Sequence, residues 1–180
     1  MAAGADAMKE LILGGVRSGK SRLAEQRAHA SGLPVIVIAT ATAEDDEMRR
    51  RIAEHRRRRP SHWLTIEEPR ALAATLREHA RADRCLVVDC LTLWLTNLLC
   101  TGDERTFASE YRALIELLPD LPGHIVLVGN ETGLGVMPLG ALTRRFCDEA
   151  GRLHQDLAQR FDRVIFTVAG LPHLLKGEPL

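Results

Sequence analysis

Gly14-Gly15-Val16-Arg17-Ser18-Gly19-Lys20-Ser21 follows the apolar run Leu11-Ile12-Leu13 and opens a segment with helical spacing. It satisfies G-x-x-x-x-G-K-[S/T], and the strand before it and the helix after it supply the context that the motif needs. The glycines let the backbone curl so that successive N–H groups point inward. The following helix turns its positive dipole end toward the same point. Gly14, Gly15, Val16, Arg17, Ser18, Gly19, Lys20 and Ser21 are therefore read as a P-loop that holds the phosphates of ATP or GTP. Lys20 is expected to bridge the β- and γ-phosphates as a catalytic cation, and the Ser21 hydroxyl to coordinate Mg²⁺.

Working outward, four more short apolar runs follow the one before the loop: Val35-Ile36-Val37-Ile38, Leu86-Val87-Val88, Ile125-Val126-Leu127-Val128 and Val164-Ile165-Phe166. Continuous rather than alternating runs are expected of strands covered by helices on both faces, so the five predict a mostly parallel central sheet. Helical spacing lies between them near 20–31, 44–57, 69–81, 91–100, 106–118 and 139–160. The class is α/β, a RecA-like P-loop NTPase domain with helices flanking the sheet. The chain reads as one domain over residues 8–180, preceded by a disordered tail at 1–7.

Asp89 ends the third run, where a P-loop enzyme places the acid that holds the Mg²⁺ shell through water. An Asp at this point also suits the cap of a helix beginning at Leu91, and the two roles are compatible. Residues 49–59 hold seven arginines and His55, after the acids Glu44 to Glu47. Such a run reads either as a solvated helix face or as a cluster of phosphate clamps.

Composition narrows the partners. The 180 residues carry 24 basic and 24 acidic side chains, so no overall field draws in nucleic acid or an anionic membrane. Only seven residues are aromatic, which argues against a single-strand binder. No apolar run approaches the roughly 18 to 20 residues that span a bilayer. Cys85, Cys90, Cys100 and Cys147 lack metal-type or disulfide-type spacing, and the first residues lack the plan of a signal peptide. A reducing cytoplasm is the expected setting.

Beyond the P-loop, four features stand in order. They are Ile38-Ala39-Thr40; Asp45-Asp46-Glu47-Met48 with Arg51-Ile52-Ala53-Glu54-His55; Arg59-Pro60 with Trp63-Leu64-Thr65-Ile66-Glu67-Glu68-Pro69; and Asn130-Glu131-Thr132-Gly133-Leu134-Gly135-Val136-Met137-Pro138. With these the chain resembles the bifunctional adenosylcobinamide kinase / adenosylcobinamide-phosphate guanylyltransferase family of cobalamin biosynthesis, over nearly its whole length. Arg145-Phe146-Cys147-Asp148 with Gly151, and Gly170-Leu171-Pro172 with Lys176, extend the likeness. Val16, Thr132, Met137 and His154 depart from the family's usual residues, His154 standing in place of Asn.

The resemblance implies phosphorylation of adenosylcobinamide by ATP or GTP, then transfer of GMP from GTP through a guanylylated histidine to give adenosylcobinamide-GDP. It places that histidine at His55, and it implies a homotrimer. It also assigns Ala39, Thr40, Ala41, Arg56, Arg57, Arg58, Arg59 and Glu67 to the guanine nucleotide. The chemistry suits the residues: an imidazole is a competent nucleophile, and arginines clamp phosphate oxygens and favour the neutral ring. Yet Met48, Ile52 and His55 also fall at i, i+4 and i+7, the spacing of a helix's packed face. Glu67 reads equally as a surface acid. Asn130, Glu131, Gly133 and Gly135 are assigned to the corrinoid or γ-phosphate side. The alternative reading is another P-loop small-molecule kinase without guanylyl transfer.

Overall fold

A computed structural model describes residues 7–43 and 45–178, apart from the side chain of Arg51. The expected tail lies outside the described residues except for Ala7, which is exposed. The five apolar runs form β1 (Lys9–Gly14), β2 (Val35–Ala39), β4 (Cys85–Asp89), β5 (His124–Asn130) and β6 (Arg163–Val168). Two further strands, β3 (Leu64–Glu67) and β7 (Leu171–Lys176), complete one sheet in the order β3-β2-β4-β5-β1-β6-β7. Strands β1 to β6 pair in parallel, and β7 runs antiparallel to β6.

Both added strands are edges, largely exposed, and so carry no continuous apolar run to betray them. Pro172 inside β7 has no N–H to donate, and an edge is where a sheet tolerates that.

The helices are α1 (Lys20–Ala30), α2 (Asp46–Arg58), α3 (Leu72–His79), α4 (Leu91–Leu99), α5 (Glu104–Leu117) and α6 (Ala141–Arg160). Their limits correct the expected ones for local reasons. Helix α2 starts at Asp46 because Asp45 caps it, its carboxylate accepting from Met48 N at 2.7 Å. Helix α3 is shorter than expected because Glu68 accepts from Arg70 N and Ala71 N and holds those residues in a turn. Helix α5 begins earlier because Asp103 caps it through Arg105 N and Thr106 N.

Strand residues alternate between two cores. Leu11, Leu13, Ile36, Ile38, Leu86, Val88, Ile125 and Leu127 pack against α3 to α6, with Trp94 fully buried among them. Ile12, Val35, Val37, Val87, Val126, Val128 and Ile165 face the other way, onto Ala24 and Ala28 of α1 and onto Trp63. The alternation is the two-residue period of a strand, and cover on both faces makes the runs between strand ends apolar. Among the described residues, no helix is long and apolar enough to cross a membrane. The carboxyl ends of the parallel strands share one edge, where ligands of such sheets gather.

Candidate active site

The P-loop leaves the carboxyl end of β1 and runs into α1 as expected. Its turn is held by small residues under real constraint. Gly19 has φ 98° and caps α1 without a side chain, and a Cβ there would approach Gly170 Cα to 3.1 Å. A Cβ on Gly14 would lie 2.6 Å from Ser18 Oγ and closer still to Thr167. Gly170 N donates to Ser18 O at 3.0 Å. Thr167 Oγ1 donates to Leu13 O at 3.2 Å, so the 2.8 Å bond between the two hydroxyls has Ser18 as donor. The β6–β7 turn therefore buttresses the loop from behind.

Lys20 is buried and donates to Gly15 O at 2.7 Å. An ammonium has three donors, so two remain for phosphate oxygens. Burial pushes its pKa down, and Cys90 and Asp89 oppose that shift. Both neighbours lie at the carboxyl end of β4, which sets that strand end beside the loop.

A cavity of about 200 Å³ opens on this edge. Its wall takes Ser21 from α1, Ala39 and Ala41 from the end of β2, Asp89 and Cys90 from the end of β4, and Asn130 from the end of β5. Helix α2 closes it with Met48, Ile52, His55 and Arg56, joined by its C-cap residue Arg59. The i, i+4, i+7 face is thus both the packed face and the face turned to the site. A larger hollow of about 530 Å³ lies between α5 and α6, around Phe107, Tyr111, Arg112 and Arg152, but no P-loop residue lines it.

Asp89 sits at the junction. Its Oδ2 accepts from Arg59 Nη2 at 2.7 Å and lies 3.6 Å from His55 Nδ1. It does not cap α4: Cys90 takes the N-cap position, with no side-chain bond. His55 is about one-third exposed, yet its Nδ1 is buried without a hydrogen-bond partner. Arg59 is 7% exposed, and its Nε is also buried, 3.9 Å from Glu25 Oε1. His62 is exposed and absent from the cavity wall.

The arginine run divides. Arg56 pairs with Glu67 of β3, Arg58 with Glu25 at 3.4 Å, and Arg59 with Asp89, while Arg57 is exposed. Arg56 and Arg59 reach the cavity; Arg57, Arg58 and Glu67 do not line it. Thr40 is fully buried, its hydroxyl donating to Cys90 O at 2.6 Å and accepting from Cys90 N at 2.9 Å. Its side chain joins β2 to β4, and Ala39 and Ala41 are what this turn offers to the cavity. Glu25, Cys90 and Leu93 joined no sequence motif, because their roles depend on elements that meet only in space.

The segment after β5 is tied to the P-loop through Glu131 N, which donates to Gly14 O at 3.0 Å. Glu131 Oε1 accepts from Gly133 N at 2.6 Å, and its other oxygen lies 3.7 Å from His154 Nδ1. Burial pushes the His154 pKa down, with the charge of Glu131 working against it. Beyond Glu131 the chain exposes Leu134, Val136, Met137 and Leu139, Val136 almost completely at 98%.

Comparison with known proteins adds a family and a fold. The family model described as cobinamide kinase / cobinamide phosphate guanyltransferase matches residues 10–175. The bifunctional adenosylcobalamin biosynthesis protein CobP of Pseudomonas aeruginosa is 68% identical over 173 residues, covering 96% of this chain and 100% of that protein. The bifunctional adenosylcobalamin biosynthesis protein CobU of Salmonella typhimurium is 39% identical, covering 91% of this chain and 97% of that protein. Among solved structures, the type III secretion ATPase EscN of enteropathogenic Escherichia coli superposes with a TM-score of 0.58 at 16% identity, covering 89% of this chain and 42% of that one. The RadB recombinase superposes with a TM-score of 0.52 at 16% identity, covering 88% and 73%. These two are matches of fold alone.

Proposed function

Because the chain belongs to the cobinamide kinase / cobinamide phosphate guanyltransferase family, we propose that the cleft between the P-loop and α2 carries both of its reactions, with the phosphate loop on one wall and the nucleophile on the other. The chain is a bifunctional enzyme of cobalamin biosynthesis that phosphorylates adenosylcobinamide and then converts the phosphate to adenosylcobinamide-GDP with GTP. The observation that carries the residue assignment is the shared wall: Ser21 of the P-loop, Asp89 on β4, His55 on α2 and its C-cap residue Arg59 line one cavity.

In the kinase step the P-loop amides and Lys20 hold the β- and γ-phosphates of ATP or GTP. The acceptor hydroxyl attacks the γ-phosphorus and gives up its proton, while the bond to the β–γ bridging oxygen breaks and the nucleoside diphosphate leaves with the electron pair. Such transfers depend on positioning and charge stabilisation more than on covalent chemistry by the protein. Among the described residues, no group of three or more His, Cys, Asp or Glu is placed to hold a metal ion. That suits Mg²⁺, which keeps several waters and relies on phosphate oxygens with one or two protein groups. Ser21 and Asp89 fit it, Asp89 acting through water because Arg59 occupies one of its oxygens. When bound, Mg²⁺ supplies neutralisation of phosphate charge.

In the second step the lone pair of His55 attacks the α-phosphorus of GTP. The N–P bond forms as the bond to the bridging oxygen breaks, and pyrophosphate leaves with the electron pair. An oxygen of the adenosylcobinamide phosphate then attacks the same phosphorus, and the N–P bond breaks to return the imidazole. Splitting one transfer into two is the gain of covalent catalysis. Arg59, and Arg56 once released from Glu67, suit contact with phosphate oxygens. Arg57, Arg58 and Glu67 belong to the nucleotide's rim.

Residues 8–180 act as one unit. The exposed apolar segment around Val136 and Leu139 gives a second and third copy a surface to bury, in keeping with a homotrimer. The free cysteines agree with a reducing cytoplasm. The deciding experiment is incubation with GTP labelled at the α-phosphate, then denaturing electrophoresis with and without acid. An acid-labile label on the protein is expected; label transfer confined to the γ-phosphate would reduce the enzyme to a kinase.

A further inference from the structure

Building on that guanylyl-transfer reading, we propose that Asp89 is a positioning residue for His55: it holds the ring by Nδ1, so that Nε2 alone meets the α-phosphorus. Three observations converge. His55 Nδ1 is buried with no hydrogen-bond partner, and an electrophilic phosphorus with its oxygens cannot reach a buried nitrogen. The ring is nevertheless about one-third exposed and lines the cavity, so its accessible part lies away from Nδ1. The atom facing Nδ1 is Asp89 Oδ2 at 3.6 Å, a separation from which catalytic hydrogen bonds tighten when substrate binds.

The carboxylate is itself held. Arg59, the C-cap residue that leaves α2 in extended conformation four residues after His55, grips the same oxygen at 2.7 Å. Arg59 is 7% exposed, so Asp89 has little freedom to turn away.

The consequence is a defined tautomer. With Nδ1–H aimed at Asp89, Nε2 carries the lone pair, and a carboxylate behind a histidine sets both tautomer and orientation in this way. As Nε2 bonds to phosphorus, the ring becomes a cation. Asp89 then faces that charge and stabilises it, while pyrophosphate leaves with the electron pair. When the substrate phosphate breaks the N–P bond, the pair returns to Nε2 and the Nδ1 proton has not moved.

The first test locates the bond. The full chain is loaded from α-labelled GTP and digested, the nucleoside is removed by periodate oxidation and β-elimination, and the remaining phosphohistidine is compared with Nδ1- and Nε2-linked standards. All label on Nε2 is expected. Label on Nδ1 of His55 overturns this inference and leaves guanylyl transfer standing; no histidine label overturns the guanylyl-transfer reading and this inference with it.

The second test reads the tautomer directly, by ¹⁵N spectra of histidine-labelled protein without nucleotide or metal, at a pH well above the ordinary histidine range of about 6.5. His55 is expected as Nδ1–H in the native chain and in Asp89→Asn, whose amide oxygen still accepts. Asp89→Ala is expected to move toward Nε2–H, the form that free histidine favours. Asp89→Leu fills the space but accepts nothing, and gives the same reading should the Ala variant not fold. An unchanged tautomer in Asp89→Ala and Asp89→Leu overturns the proposal, since a carboxylate needed only for Mg²⁺ would not alter a metal-free spectrum.

Discussion

At the residue scale the proposed assignment divides the chemistry between Lys20 and His55, and it expects them to fail differently. With Lys20 assigned to phosphate in both ground and transition states, Lys20→Ala is expected to weaken nucleotide affinity and to cut kinase turnover by on the order of 100-fold, the scale of losing one buried charge-stabilising donor. Steady-state kinetics with ATP, beside a binding titration, checks it; unchanged values in both would remove Lys20 from the site. His55→Ala is expected to abolish the protein label from α-labelled GTP while kinase turnover stays within a few-fold, because only guanylyl transfer needs an N–P bond. Adenosylcobinamide phosphate then accumulates. If the imidazole only packed on the inner face of α2, truncation would instead lower thermal stability and damage both rates together, so a melting curve beside the two rates separates the cases. The phosphate loop was legible because its motif states its chemistry locally, whereas the role of His55 came from the family resemblance, its own spacing fitting a packed helix face equally well. The Asp89 partnership was not, since Asp89 lies 30 residues from Arg59 in the chain.

At the scale of elements, α2 is held by its cap at one end and by ion pairs at the other. Asp45→Ala removes the bond to Met48 N and is expected to cost about 1 kcal/mol, as an N-cap loss does. Its effect should fall more on guanylyl transfer than on the kinase step, because α2 carries His55, whereas the P-loop is bonded to Gly170 and Glu131. Chemical denaturation with the two rates measured side by side tests this; equal losses would mean that α2 serves both steps. The helix positions followed from apolar spacing, but their first turns did not: Asp45, Glu68 and Asp103 decide where α2, α3 and α5 begin, by bonds only coordinates display. Strands β3 and β7 escaped for a different reason. Each has one neighbour and little burial, so neither needs the apolar run that marks an inner strand.

Across the whole molecule, the sheet carries a buried charge cluster at the end away from the cleft. Glu10 is fully buried at the start of β1, 2.9 Å from Arg27, 2.8 Å from His124 and 3.6 Å from Arg163. Burial alone would raise its pKa, but hydrogen bonds and charge from His124 and Arg27 outweigh it and lower it to about 2. A carboxylate depressed on folding stabilises the native state above its unfolded value of 4.5 and loses that contribution as pH falls toward about 2. Glu10→Gln is therefore expected to cost about 3 kcal/mol at neutral pH, as breaking a buried pair does. Its melting temperature should also fall less than the native chain's between pH 5 and 3; parallel acid melting curves would sink the idea. On the outer surface, the proposed homotrimer is expected to dissociate in sedimentation on Val136→Glu with Leu139→Glu, because two charges replace exposed apolar area that association would bury. An unchanged sedimentation coefficient would exclude this segment as the trimer's interface.

By itself the sequence determined the inner strands, the helices between them, the phosphate loop and the family, because each of these is written in neighbouring residues: apolar periodicity, glycines at a turn, or contiguous motifs. Tertiary structure alone decided that Thr40 is consumed within the protein, that Arg56 and Arg59 reach the cavity while Arg57 and Arg58 do not, and that Asp89 faces His55 and Arg59. The physical reason is one of range. Propensity and patterning act over a few residues, whereas the pairing of a buried charge is settled by whichever distant element packing brings within about 4 Å of it.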